Sequence, residues 1–117
     1  MRPDSLKLLE DMRDSARLVL SFVRGRTAHD YLSDVMLRSA VERQLFILGE
    51  ALTQLRHLYP EVAAQVPDQR VIIGFRNLLA HAYSAVDDQR VWEIVESSLP
   101  GTLAAVEALL PEGEPGE

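Results

Sequence analysis

Four side chains with phosphate chemistry lie within one octet of the sequence, Arg76 to Tyr83. Arg76 carries a permanently charged guanidinium that fits phosphate oxygens, and His81 can give or take a proton near neutral pH. Asn77 and Tyr83 add a carboxamide and a phenol within about two helical turns. The octet therefore holds groups that could bind a phosphodiester and move a proton beside it.

Helix geometry sets how these groups could act together. The i,i+4 spacing places Asn77 and His81 on one face of an α-helix, whereas Arg76 and His81 differ by roughly 140° in azimuth. Both can border one groove if the helix ends near His81. The alternative is a solvated arginine and a histidine whose cation is favoured at a helix C-terminus. Asn77 could likewise only support the backbone, and Tyr83 could be an ordinary half-buried aromatic.

Apolar residues recur at spacings of three and four along most of the chain, which predicts an all-α fold. An up-and-down helical bundle of four to five helices is the simplest arrangement of such segments. We expect main helices over residues 4–24, 33–58, 69–82 and 88–110, with a break in the last at Pro100-Gly101.

The sequence also predicts where these helices begin and end. Asp4 or Ser5 can cap the first, Asp68 the third and Asp87 the fourth. Residues 27–32 can form a turn that precedes the second helix. Pro60 closes that helix, and residues 60–66 are expected to form a loop with one helical turn.

Length and composition favour one domain, residues 1–110, followed by a disordered acidic tail, residues 111–117. The chain has no cysteine, which excludes a disulfide framework and a thiolate metal site. His29 and His57 have no partner at metal-ligand spacing, so we expect no metal and no cofactor. Without a signal-like or membrane-spanning stretch, the sequence indicates a soluble cytoplasmic protein.

The net charge of -6 is distributed unevenly along the chain. Residues 85–117 hold one arginine and eight carboxylates, whereas residues 1–84 hold eleven basic and ten acidic side chains. The octet therefore belongs to a nearly neutral body, and this charge allows an RNA ligand without predicting one.

A second cluster of charge lies on the predicted second helix. Glu42 and Glu50 are eight residues apart and fall on nearly one face, with Arg43 beside them. Gly49 would allow another helix to approach closely. We expect Glu42, Arg43 and Glu50 to support the octet, for example by an ion pair with Arg76, although a solvated charged face is an equal alternative.

The octet and its flanks resemble a known family. Residues 71–75 (VIIGF) precede the octet, Val86-Asp87 and residues 91–95 (VWEIV) follow it, and residues 40–51 (AVERQLFILGEA) form an upstream signature. Together they resemble the HepT-like branch, also called DUF86, of the HEPN superfamily, over roughly residues 5 to 110.

The resemblance implies a dimer-forming helical bundle that acts as a metal-independent endoribonuclease toxin. Such cleavage needs a base for the 2'-hydroxyl, an acid for the leaving oxygen and neutralisation of phosphate charge, and one chain supplies only half of these groups. A composite site across a homodimer would supply all of them, with Arg76 on the phosphate and His81 transferring protons. Asn77 would orient the helix end or the RNA, and Tyr83 would tune the site.

The same resemblance implies a biological partner. HepT-like proteins are toxins of type VII-like toxin-antitoxin pairs whose antitoxin is a nucleotidyltransferase of the MNT type. Such an antitoxin can add AMP to the tyrosine at the position of Tyr83, and this would block the anion site. The alternatives are a non-catalytic helical module that binds the nucleotidyltransferase or its nucleotide, and a purely structural helical dimer.

Overall fold

The computed structural model describes residues 2–81 and 83–111, with only the main chain of Tyr83 included. Over these residues the chain forms seven α-helices and one 3₁₀ turn, Tyr83–Ala85, and no strand. The helices are α1 Pro3–Val23, α2 Ala28–Ser33, α3 Val35–Leu58, α4 Pro60–Ala63, α5 Gln69–His81, α6 Asp88–Ser97 and α7 Leu99–Leu109. The predicted all-α class is confirmed, and five of the helices have ten or more residues.

The first helix begins one residue earlier than expected, and its predicted caps are wrong. Arg2 occupies the N-cap position without a side-chain capping bond, and a proline follows it. Ser5 is buried and its hydroxyl donates to the Arg2 carbonyl oxygen at 2.9 Å. Proline supplies the helical φ and has no N–H group to cap, which removes part of the need for a side-chain cap.

Residues 27–34 form a helix of their own rather than the first turn of α3. Thr27 and Asp30 make a reciprocal capping box that starts α2. Asp34 has an extended backbone, and its carboxylate accepts from the Leu37 N–H at 3.1 Å to start α3 afresh. Each of the two helices has its own N-terminal cap, so α2 and α3 are separate helices although the apolar spacing alone would allow one continuous helix.

Other predicted boundaries are confirmed. The Asp87 carboxylate accepts from the N–H groups of Gln89 and Arg90, and so caps α6. The last helical segment is interrupted at Ser98, two residues before Pro100. The single turn expected after Tyr59 is α4. Asp68 precedes α5 with a φ of 62°, and its carbonyl oxygen accepts from the Ile72 N–H, but its carboxylate makes no capping hydrogen bond within the described residues, so the predicted side-chain cap is not made.

Helix α3 lies at the centre of the fold and packs against α1 on one side and α5 on another. Helix α7 packs on α1 and α6, while α2 joins α3 to α6. Phe75 and Trp92 are buried in the core. No helix in the described ranges is long and apolar enough to cross a membrane. The predicted tail falls almost wholly outside the described residues.

Candidate active site

The octet is carried by α5, which crosses α3 at a glycine. A methyl group placed on Gly49 would overlap the Cβ of Arg76 and would lie 3.3 Å from the Ile72 carbonyl oxygen. Only a residue without a side chain lets the two backbones approach this closely. The crossing therefore brings the start of the Arg76 side chain directly against α3.

Arg76 is held in place by three hydrogen bonds. Its Nε and Nη2 donate to a single oxygen of Glu50, Oε1, at 2.8 and 2.5 Å. Its Nη1 donates to Oδ1 of the neighbouring Asn77 at 2.8 Å. A guanidinium has five N–H groups, so these bonds fix its plane and leave two N–H groups for a ligand.

An aromatic ring completes the surroundings of Arg76. The guanidinium carbon lies 5.6 Å from the ring centroid of Phe46, which is within the range of a cation–π contact. Phe46 stands one helical turn before Glu50 on α3, and it is not among the residues predicted for the site from the sequence. Its position in the upstream signature, at i-4 from Glu50, is the signal that could have marked it.

The remaining residues of the octet lie at the end of α5. Asn77 and His81 are exposed, and His81 is the last residue of the helix. A 3₁₀ turn that starts at Tyr83 follows closely. The side chain of Tyr83 and all of Ala82 lie outside the described residues. The structure thus places Arg76 in a fixed setting and His81 at an open helix end.

Of the three charged residues on α3 that were expected to support the octet, Glu50 forms the ion pair with Arg76. The ion pair is partly sheltered, with 22% of the Arg76 side chain and 41% of the Glu50 side chain exposed. Arg43 is exposed on α3 and borders the same surface cavity as Glu50 and Phe46. The ion pair expected from the sequence is therefore made by one of the two glutamates.

Glu42 faces a different part of the molecule. Burial raises the pKa of its carboxyl, and the nearby Asp88 carboxylate adds to this while Arg38 opposes it. Nε of Arg38 lies 3.4 Å from Oδ2 of Asp88, and this ion pair connects α3 to the start of α6. Glu42 therefore faces α2 and α6, while Glu50 is the glutamate that meets Arg76, and the supporting role of Glu42 stays a prediction.

Metal chemistry has no candidate ligand set in the described part of the chain. Among residues 2–81 and 84–111, no three His, Asp or Glu side chains are grouped so that they could hold a metal ion. The polar groups around the site are one guanidinium, one carboxylate and one carboxamide, with an imidazole farther along the helix. These groups suit an anionic ligand.

The fold and this site define a helical bundle with an arginine and histidine pair on one helix. The chain belongs to the HepT-like family, described as Ribonuclease HepT-like, whose model matches residues 12–109. The resemblance drawn from the octet and its flanks is confirmed at this level.

Similar proteins come from several prokaryotes. A candidate RNase of Methanocaldococcus jannaschii is 32% identical over 104 residues, which cover 89% of this chain and 94% of that protein. A candidate ribonuclease HepT of Thermococcus cleftensis is 31% identical, with 86% and 91% covered. A candidate RNase of Caldanaerobacter subterraneus is 29% identical, with 87% and 90% covered. The family description and these names agree on one activity class, ribonuclease.

No solved structure matches the chain.

Proposed function

We propose that this protein is a metal-independent endoribonuclease that cleaves cytoplasmic RNA through Arg76 and His81. The observation that carries the proposal is the fixed guanidinium of Arg76, held by Glu50 and Asn77 on the same helix whose last residue is His81. A preorganised cation stabilises charge that develops on phosphorus without first having to be ordered. The family to which the chain belongs supports the same activity class.

Each group has a chemical role in this proposal. The two outward N–H groups of Arg76 bind the scissile phosphate and stabilise the charge of the transition state. His81 takes the proton of the 2'-hydroxyl or gives one to the leaving 5'-oxygen. Glu50 and Asn77 hold Arg76, and thus act through it rather than on the RNA.

A single chain supplies one arginine and one histidine to this chemistry. A base and an acid are both needed, so the proposal includes a homodimer in which two copies of the octet form one composite site. In that dimer one His81 would act as the base and the other as the acid.

The proposal extends to regulation. We propose that the protein is the toxin of a pair whose antitoxin is an MNT-type nucleotidyltransferase, and that this partner adds AMP to Tyr83. The spacing Arg76-x4-His81-x-Tyr83 supports it, because an added phosphate and adenosine near the end of α5 would occupy the surroundings of Arg76.

The test is cleavage of total cellular RNA by purified protein in excess EDTA. We expect discrete products from the wild type and a loss of about 100- to 10,000-fold for His81→Ala, the range of general acid–base contributions. Arg76→Lys should lose activity as well, since an ammonium lacks the planar fork that meets Glu50 and phosphate together.

Two variants serve as matched controls. His57→Ala removes an exposed histidine from the last turn of α3, and Arg70→Ala removes an exposed arginine from the first turn of α5. Both should cleave like the wild type. Equal activity in His81→Ala and His57→Ala proteins of the same oligomeric state would show that His81 is not the proton-transfer group.

A non-catalytic module that binds the nucleotidyltransferase is the second candidate. The acidic net charge of -6 favours it, because nucleases that find RNA unaided gain from basic surfaces. Nucleotide-dependent binding of the antitoxin by unmodified protein that cleaves no RNA would select this reading.

A further inference from the structure

A surface cavity of about 250 Å³ opens between α1 and α3 beside the candidate active site. Leu8 from α1 and Ala51 from α3 belong to its apolar lining. Glu50, the ion-pair partner of Arg76, lies on its border. Phe46 lines the cavity as well, and its ring centroid lies 5.6 Å from the guanidinium carbon of Arg76. The cavity and the candidate active site therefore share one aromatic ring.

Polar side chains surround this apolar lining and keep hydrogen-bonding capacity for a ligand. Arg43 borders the cavity and makes no ion pair within the described part of the chain. Gln54 is exposed about 16 Å farther along α3, at a rise of 1.5 Å per residue. Asp11 on α1 accepts from Lys7 through Oδ1 at 2.8 Å, which leaves Oδ2 for another donor.

A second cavity between α1 and α3 is of similar size but has a different polar lining. Its volume is about 270 Å³, and Phe22 is the aromatic residue that lines it. The two charged residues at this cavity, Arg26 and Asp34, form an ion pair with each other at 3.7 Å. The charges of the second cavity are therefore already matched, whereas Arg43 at the first cavity still lacks an anion.

An aromatic ring with polar groups around it is the setting in which proteins hold a base of single-stranded RNA. Such bases stack on aromatic side chains and form hydrogen bonds through their edges. A carboxylate accepts hydrogen bonds through both oxygens and donates none, so it is matched by a base with two adjacent donors. Guanine carries this pair, N1–H and the N2 amino group, next to the acceptor O6. The amide of Gln54 can donate to that oxygen.

We infer that this cavity binds a guanine base of the RNA next to the scissile phosphate. The guanine stacks on Phe46, donates to the carboxylate of Asp11 and accepts from the amide of Gln54. Arg43 binds a neighbouring phosphate of the same strand, while Arg76 holds the phosphate that is cleaved. This inference rests on the proposed function and deepens it, because it names the base that directs the cut.

Mapping the ends of the cleavage products tests the base preference. We expect guanine at one fixed position beside the cut when RNA of random sequence is cleaved in excess EDTA. The contact with Asp11 should favour guanine over adenine by about 5- to 150-fold in kcat/KM, the range for one bidentate contact to a base. Asp11→Asn should reduce this preference, because a carboxamide has one acceptor oxygen. Cuts without a base preference, or with a preference for another base, would overturn the inference.

The role of the aromatic ring has its own test. We expect Phe46→Leu to raise KM for guanine-containing RNA by about 5- to 150-fold, the range for stacking of one base. Phe46→Tyr keeps the ring and should restore a wild-type KM. Phe22→Leu is the matched control, because it removes a half-buried ring from the second cavity and should leave KM unchanged. Equal increases in KM for Phe46→Leu and Phe22→Leu would contradict stacking on Phe46.

Binding without cleavage separates this inference from the proposed function. The probes are fluorescein-labelled oligouridine and the same RNA with one guanine, bound to His81→Ala protein at one fixed salt concentration. We expect the guanine RNA to bind about 10-fold more tightly, and Phe46→Leu in the same protein to abolish the difference. Equal affinities together with cleavage by the wild type would overturn the guanine site and leave the ribonuclease standing.

Two other outcomes decide against the inference in different ways. A wild-type protein that neither binds nor cleaves RNA would overturn the proposed function and the guanine site together. Light scattering during gel filtration shows whether Phe46→Leu keeps the oligomeric state of the wild type. A Phe46→Leu protein that loses RNA binding because its subunits separate would assign the cavity to a contact between subunits, and so would also overturn the guanine site.

Discussion

Two glutamates on one helix, eight residues apart, have opposite surroundings. Glu50 lies at the crossing of α3 and α5, where it accepts two hydrogen bonds from Arg76. Glu42 lies at the junction of α3 with α2 and α6, where burial and the Asp88 carboxylate raise the pKa of its side chain. Glu50 has an arginine as its partner, whereas Glu42 lies near both the Asp88 carboxylate, which raises its pKa, and Arg38, which lowers it.

The residues that pack at the α3–α5 crossing and at the junction of α3 with α2 and α6 differ in size. Gly49 lets α5 approach until Arg76 and Glu50 meet. At the other junction Tyr31 and Trp92 fill the space, with ring centroids 5.6 Å apart. The Tyr31 hydroxyl is buried there without a hydrogen-bond partner among the described residues. The glycine at the crossing lets Arg76 reach Glu50, whereas the two aromatic rings pack at a junction where Glu42 lies near Asp88 and Arg38.

The largest effect is expected at the α3–α5 crossing itself. Gly49→Ala forces a methyl group onto the Cβ of Arg76, which cannot move without α5. We expect the free energy of unfolding to fall by about 1–3 kcal/mol, the usual range for overpacking, despite the better helix propensity of alanine. Urea unfolding measures this change.

Gly74→Ala is the matched control on α5. A methyl group there meets no atom of the described chain within 4 Å, so only helix propensity changes. We expect the free energy of unfolding to rise by about 0.5–1 kcal/mol. Equal effects of the two substitutions would mean that the helices do not cross closely at Gly49.

A second experiment compares the two glutamates in activity. Glu50→Gln keeps the size of the side chain and removes the charge that orders Arg76. A hydrogen bond to a charged group contributes about 1.5–3 kcal/mol, so we expect kcat/KM for RNA to fall by about 10- to 100-fold. Glu42→Gln should leave kcat/KM within about twofold, because Glu42 does not reach Arg76.

A readout at Arg76 separates positioning from general stability. Solvent exchange of the Arg76 Nε proton, followed by NMR, should be faster in Glu50→Gln than in the wild type or Glu42→Gln. Slow exchange in all three proteins would contradict the assigned role of Glu50, even if activity falls.

A third experiment uses the pH dependence of stability. The pKa of Glu42 is raised above its ordinary value of 4.5 in the folded protein, so the folded state holds its proton more tightly. Its contribution is full below that ordinary pKa and is lost as pH rises through the higher folded pKa. We therefore expect Glu42→Gln to gain stability relative to the wild type as pH rises from about 4 to 7.

The direction in which stability changes with pH distinguishes Glu42 from carboxyls whose pKa is lowered in the folded protein. A hydrogen bond from Tyr59 lowers the pKa of Asp4, so stability linked to Asp4 is lost as pH falls instead. A difference between wild type and Glu42→Gln that does not change with pH would show that Glu42 titrates normally in the folded protein.

The smallest expected effect concerns Tyr31. Burial raises the pKa of its hydroxyl, which stays protonated and lacks an acceptor among the described residues. Tyr31→Phe removes this polar atom and keeps the ring against Trp92, so we expect the free energy of unfolding to rise by up to about 1 kcal/mol. A marked loss of stability on thermal unfolding would show that the hydroxyl has an acceptor in solution.

Much of the fold could be predicted from local sequence. Apolar spacing located α1, α3, α5 and the α6–α7 segment, and Pro60, Asp87 and Pro100 marked their boundaries. The cap of α1 and the separation of α2 from α3 were missed, because several residues near each point could cap a helix and only the backbone course selects one.

The sequence by itself determined the helical class, the family and the four polar residues of the octet, because helix periodicity and motif spacing are properties of neighbouring residues. Tertiary structure decided which glutamate meets Arg76 and that Phe46 lies over it. Both depend on the angle at which α5 crosses α3 at Gly49, and a crossing angle is set by packing between residues far apart in the chain.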